Sequence, residues 1–305
     1  MHALKAAILL LTTTFFWGIT FTIVKQAVET VDVFVFLSQR FILAFVCIIP
    51  ICFYKGNRFD LTTLKQGTIM GLFLFGAYGF QTMALQYTTA SNTGFLTGLN
   101  VVMVPVISAL LLKQPVPAAI KSAVFLAAIG LFLLCSNGSM IINSGDLLAG
   151  ICAICVSLHL IYTGEYAQHS DYFWLTAVQL GMVALLSSVT ALSTGKQIFI
   201  WYPHLLSTLL ICALVATVFA FLVQTSMQRF ISPMNTALIF CTEPVFAALY
   251  AWLMLDERLG IAGFIGALLI LAGMVISILP AGITPQKPHG GIQDAVVLDE
   301  YRVGE

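Results

Sequence analysis

Glu243 and Pro244 stand side by side near the middle of Ser232 to Leu255, a stretch whose only charged side chain is Glu243. A carboxylate at the centre of a bilayer costs about 2.5–3.5 kcal/mol on insertion scales, and proline cannot donate the helical hydrogen bond. Two such costs at adjacent positions point to a use. Burial favours the neutral carboxyl and a nearby cation favours the ionised one. Glu243 is therefore expected either to carry a coupling proton or to act as a fixed counter-charge for a substrate amine. The competing reading is a hydrogen-bonded glutamate that ties helices together. Pro244 frees a backbone carbonyl, which either binds substrate or only kinks the helix.

Other polar side chains are embedded in apolar runs. Arg40 lies about two turns inside the second run, within reach of a substrate carboxylate or of Glu243 itself; alternatively it snorkels to the interface. Asn100 is halfway along the fourth run. Gln39, Gln179, Gln81 and Gln224 carry amides that bond zwitterionic groups or neighbouring helices equally well. Trp17 and Tyr78 would wall an apolar or aromatic pocket. His159 is in mid-run, either as a neutral hydrogen-bonded ring or as a proton relay. These ten residues form the expected substrate-binding set, with Glu243 also the proton-coupling candidate. Glu165, near the end of its run, is expected to be a solvated carboxylate.

The elements that must position them follow from composition. Of 305 residues, 60% are hydrophobic and 9% charged, against about 25% charged in soluble domains. The chain reads as an all-α membrane protein. Ten spans of bilayer length are expected: Leu4–Val24, Val33–Phe53, Gln66–Gln86, Ser91–Leu112, Ala118–Ser136, Asp146–Ala167, Tyr172–Thr194, His204–Gln228, Ser232–Leu255 and Gly260–Leu279. Leu4–Val24 is read as a span rather than a signal peptide, because it is long, aromatic and lacks a small-residue cleavage site. The polar, Gly- and Pro-containing tail 281–305 is expected to be flexible.

A shift of 143 residues carries Gln81-Thr82 onto Gln224-Thr225, Asn92-Thr93 onto Asn235-Thr236, Asn100 onto Glu243 and Gly130 onto Gly273; a slightly smaller shift carries Gln39 onto Gln179. The ordered series reads as a duplication, with repeats at 1–137 and 145–280. Five spans per repeat is an odd number, so the second repeat enters the membrane inverted. Inverted repeats are a transporter architecture with a midplane site opened to each side in turn. With an even span count both ends share a side. The positive-inside count puts Lys5, Lys55, Arg58, Lys65, Lys113, Lys121, Arg229, Lys287 and Arg302 with the ends, and Lys25, Lys196 and Arg258 opposite, so both termini are expected to be cytoplasmic.

Trp17-Gly18, Ser38-Gln39-Arg40-Phe41, the run GFLTGLNVVMVPVISALLLK from Gly94, TEPVFAALYAWLMLDERL from Thr242 and GALLILAG from Gly266 together resemble the EamA family of the drug/metabolite transporter superfamily. The resemblance extends from Leu4 to Leu279. It implies ten helices in two EamA repeats, a bacterial inner-membrane location and movement of small metabolites, often export of amino acids or related compounds. Lys113-Gln114 departs from the acidic residue many members carry there, whereas Glu257 keeps it in the second repeat.

Other classes find little support. Thirteen basic and thirteen acidic residues balance, which leaves no basic surface for nucleic acid. No GxSxG elbow, HExxH pair or phosphate-binding glycine loop occurs, so neither an enzyme nor a cofactor is expected. The seven cysteines are scattered through apolar runs as packing residues, not as a disulfide framework or metal site. The expected partners are a small-molecule substrate, membrane lipid and protons. The expectation is a secondary transporter exporting small polar or zwitterionic metabolites by alternating access; the alternative is uptake of a nucleoside-like metabolite such as S-adenosylmethionine.

Overall fold

A computed structural model describes residues 2–57, 59–88, 90–111, 113, 115–135, 143–199, 203–254 and 260–279. The acidic position Glu257 and the tail 281–305 lie outside them. The described chain is helical, without a strand. Its elements are α1 His2–Val28, α2 Val33–Lys55, α3 Leu61–Tyr87, α4 Ala90–Gly98, α5 Asn100–Leu111, α6 Ala118–Cys135, α7 Ser144–Tyr166, α8 Tyr172–Ser193, α9 Leu206–Leu210, α10 Ala220–Met227, α11 Pro233–Phe240, α12 Glu243–Met254 and α13 Ile261–Ile278. A short 3-10 turn, Pro203–Leu205, precedes α9, and a nine-residue π-helical segment, Ile211–Phe219, joins α9 to α10.

Among the described residues, eight helices are long and apolar enough to cross a membrane, and Ala118–Leu134 is a shorter apolar one. The chain is thus a multi-pass membrane protein. Where one continuous helix is expected at Ser232–Leu255, two stand instead, broken at Cys241-Thr242. Pro244 is therefore not a kink in a long helix. It is the second residue of α12, where its missing N–H is one of the groups a helix start leaves unpaired anyway.

The expected helix Ser91–Leu112 is interrupted in the same way between Gly98 and Asn100. Leu99 N–H donates to Leu96 O, and Leu99 O accepts from Val102 and Met103; Thr242 N–H donates to Ile239 O, and Thr242 O accepts from Val245 and Phe246. Each bond in one break has its counterpart 143 residues on in the other.

Helix starts follow the short polar residues. Asp32 accepts from Phe34 and Val35, Asp60 from Thr63, and Asp171 from Phe173 and Trp174, each satisfying first-turn N–H groups. Asn143 and Asp146 form a reciprocal capping box, and Thr88 Oγ1 donates to Asp146 Oδ1 at 2.9 Å, fastening the end of α3 to the start of α7. Asp171 also accepts from Asn57 N at 3.0 Å and Asn57 Nδ2 at 2.9 Å, and Trp174 Nε1 donates to Asn57 O, stapling α2 to α8.

Backbones approach most closely between α6 and α13. A Cβ on Gly130 would meet Gly266 O at 2.6 Å, and one on Gly266 would meet Gly130 O at 2.5 Å. Gly71 and Gly76 make room for side chains instead, since an added Cβ would meet Met182 Cβ at 2.5 Å and Cys155 Sγ at 2.8 Å, but Gly79 has only Phe34 at 3.6 Å and needs no such explanation. One core gathers around α2, α3 and α8 and a second around α5, α6, α7, α11 and α13; Trp17 packs against both.

Candidate functional site

Arg40 is buried, 3% exposed, and turns inward rather than snorkelling. Its Nε donates to Thr217 Oγ1 at 2.8 Å, and its Nη2 donates to Ala216 O at 3.2 Å and Tyr78 Oη at 3.3 Å. The guanidinium also lies over the Tyr78 ring, 4.8 Å from the centroid, within cation–π range. Both Ala216 and Thr217 belong to the π-helical segment, a geometry often found at functional positions. Trp17 reaches that segment too: its Nε1 donates to Ala216 O at 2.8 Å. Helices α1 and α2 thus converge on two residues of one distorted turn, and α3 joins them through Tyr78 on Arg40.

Glu243 opens α12 and is half-buried. Gly18, next to Trp17, lets α1 approach it, since a Cβ there would sit 2.8 Å from Glu243 O. Tyr78 is within electrostatic reach of both Arg40 and Glu243, and Cys152 of Glu243. Among the described residues, neither Arg40 nor Glu243 forms an ion pair. Asn100 occupies the corresponding first position of α5; it is 7% exposed, and its Oδ1 accepts no hydrogen bond.

His159, Gln179 and Gln224 come together in a separate buried chain of hydrogen bonds. Gln228 Nε2 donates to Leu160 O at 3.0 Å, Gln224 Nε2 to Gln228 Oε1 at 3.1 Å, and Gln179 Nε2 to Thr225 Oγ1 at 3.2 Å. Between them His159 Nε2 lies 2.7 Å from Gln179 Oε1, and its Nδ1 lies 3.5 Å from Gln224 Nε2. The neutral ring with its proton on Nε2 fits both partners, donating to one and accepting from the other.

Gln39 departs from its repeat mate. Its Nε2 donates to Ile198 O at 2.8 Å, in the connection after α8, while Gln179 joins the histidine chain. Gln81 is half-buried on α3. Glu165, expected in solvent, is 9% exposed.

Several residues that join these groups carry no sequence signal. Phe221 places its ring 5.5 Å from Trp17 and 6.0 Å from Tyr78, tilted to both, and 5.9 Å edge-to-face from His159, linking the two polar centres. Phe240 lies 4.9 Å from Trp17. Thr217, Thr225 and Gln228 look in the sequence like any other polar residue in an apolar run. Gln228 alone had a hint, four residues after Gln224, hence on the same helix face. Among the described residues no cluster of three His, Cys, Asp or Glu side chains is placed to hold a metal ion.

A crystal structure of another protein superposes over 91% of this chain and 97% of its own with a TM-score of 0.72 at 20% identity, a likeness of fold. An uncharacterized transporter of Archaeoglobus fulgidus is 34% identical over 260 residues, covering 85% of this chain and 81% of its own. The uncharacterized transporter YoaV of Bacillus subtilis is 22% identical over 281 residues, covering 90% of this chain and 96% of its own. The sequence profile of the EamA-like transporter family matches residues 4–136 and again 143–279. The chain belongs to the EamA-like transporter family.

Proposed function

We propose that the protein is a secondary transporter that moves small zwitterionic metabolites, amino acids or close relatives, by alternating access. The observation that carries this reading is the pair Arg40 and Glu243. Arg40 lies on Tyr78 and Glu243 is within electrostatic reach of it; the two are intramembrane side chains of opposite charge type, and neither has a counter-ion among the described residues. Uncompensated charge at bilayer depth is costly, and a ligand bearing a carboxylate and an ammonium offsets both costs at once. In this reading Asn100 adds an acceptor for the ammonium, Trp17 and Tyr78 flank the ligand, and Gln81 lines the approach. The chain of Gln179, His159 and Gln224 supports the wall, and Gln39 holds the connection near Ile198. Glu243 also exchanges a proton when it is empty, which couples export to the proton gradient.

Ten spans in two inverted five-helix repeats, 1–137 and 145–280, with a cytoplasmic tail 281–305, complete the proposal. The matching helix bounds of 90–111 with 233–254 and of 118–135 with 261–278 support it, as do the two breaks with corresponding hydrogen bonds. The balance of Lys and Arg supports cytoplasmic termini in the inner, cytoplasmic membrane of a bacterium. The rings of Trp17, Tyr78, Phe221 and Phe240 favour one second reading, uptake of a nucleoside-like metabolite such as S-adenosylmethionine, whose planar base would stack there.

A thermal-shift screen of the purified protein against amino acids and nucleoside-like compounds tests both. The proposal expects stabilisation by an amino acid that is lost in Glu243→Gln and Arg40→Ala. Stabilisation by nucleoside-like compounds alone supports the second reading.

A further inference from the structure

We infer that Thr217 is the positioning residue for Arg40, presenting its Nη1 edge as the docking point for a ligand carboxylate; this rests on the reading of Arg40 as part of the substrate site. A guanidinium has five N–H donors in a fixed plane. Here Nε is committed to Thr217, and both donors of Nη2 are committed to Ala216 O and Tyr78 Oη. Nη1 bonds no described residue, and it is not among the enclosed polar atoms that lack partners. Two donors of the fork are therefore open to a ligand.

Thr217 can hold the fork because its own proton is spent elsewhere. Its Oγ1 donates to Cys212 O at 2.7 Å, five residues back. In an ordinary α-helix a threonine bonds the carbonyl four residues back. The π-helical segment turns the hydroxyl so that its lone pair faces Arg40 while its proton stays within the helix. Thr217, Ala216 and Cys212 are fully buried, so water does not compete for these positions. Arg40 is the only buried cation among the described residues. One fixed positive charge matches a singly charged carboxylate better than a phosphate, which is usually met by several donors and cations.

The test uses the full-length protein in detergent and a panel of the standard amino acids, each beside its decarboxylated amine and its deaminated acid. Affinities are measured for the native protein, Thr217→Val, Thr217→Ser and Arg40→Gln. The expected result is that Thr217→Val weakens binding of the amino acid and the acid about tenfold, the loss of one hydrogen bond to a charged group, and leaves the amine unchanged. Thr217→Ser restores the native preference, and Arg40→Gln abolishes it.

Equal weakening of amine and amino acid in Thr217→Val, or no weakening at all, overturns the positioning role. If Arg40→Gln still abolishes the carboxylate preference in that case, the substrate reading of Arg40 stands without it. If Arg40→Gln leaves the preference intact, or if no ligand bearing a carboxylate binds the native protein, both the substrate reading and this inference fall.

Discussion

Trp17 and Arg40, from two different helices, donate to one carbonyl oxygen, that of Ala216, at 2.8 and 3.2 Å. Both donors are thereby referenced to the same point of the π-helical segment. Trp17→Phe keeps the ring contacts with Phe221 and Phe240 but deletes the N–H. It is expected to lower stability by about 1 kcal/mol, read as a lower thermal midpoint in detergent, while Trp17→Ala lowers it by more because the ring is lost as well.

His159 tests the neutral hydrogen-bond chain. Replacing it by leucine leaves Gln179 Oε1 and Gln224 Nε2 each short of a partner inside the protein, at a cost of about 1–3 kcal/mol per unsatisfied group. His159→Gln retains a donor and an acceptor and should cost less. The triple variant His159→Leu, Gln179→Leu, Gln224→Leu removes the partners together and is expected to be more stable than the sum of the single losses. Thermal unfolding of the native protein, the three single leucine variants, His159→Gln and the triple variant checks the order.

Glycine-to-alanine changes separate close approach from open space. Alanine at Gly130 or Gly266 places a methyl within 2.6 Å of a backbone carbonyl across the α6–α13 contact, and forcing these helices apart is expected to cost about 1–3 kcal/mol. Gly150 on α7 has nothing within 4 Å of an added Cβ, so Gly150→Ala should be neutral or gain up to about 1 kcal/mol from helix propensity. Equal effects at the two kinds of position would contradict the packing described.

The pH dependence of one cap is fixed in sign. Asp60 lies outside the spans and accepts from Thr63, first through the side chain and then through the backbone N–H, which holds its carboxyl below the ordinary carboxylate value. A folded value below the unfolded one means the cap contributes stability above the unfolded value and loses it as pH falls through the folded value. The native protein should therefore exceed Asp60→Ala in thermal midpoint at neutral pH, with the gap closing in acid.

Much of the helical layout is legible in the residues, because hydrophobic length and short polar caps are local properties. α2, α6 and α8 begin at the expected Val33, Ala118 and Tyr172 and α13 one residue past Gly260, whereas α3 begins at Leu61 behind its Asp60 cap, ahead of the expected Gln66. The two breaks were not legible. Leu99 has no proline beside it, and Pro244 suggested a kink where a new helix begins. The π-helical segment was hidden too, since Ile211–Phe219 reads as ordinary apolar helix and depends on donors brought from α1 and α2. Among the site candidates, Arg40 and Glu243 declared themselves by charge. Gln39 and Gln179 match in sequence yet have different partners, because helix rotation is set by packing and not by spacing.

The most direct test of a zwitterion site built on two unpaired charges is transport in proteoliposomes under an imposed pH gradient, comparing the native protein with Glu243→Gln. The account predicts that the variant, correctly inserted and folded, transports its amino acid poorly or with no response to the gradient. Unchanged transport that still follows the pH gradient in Glu243→Gln would contradict it.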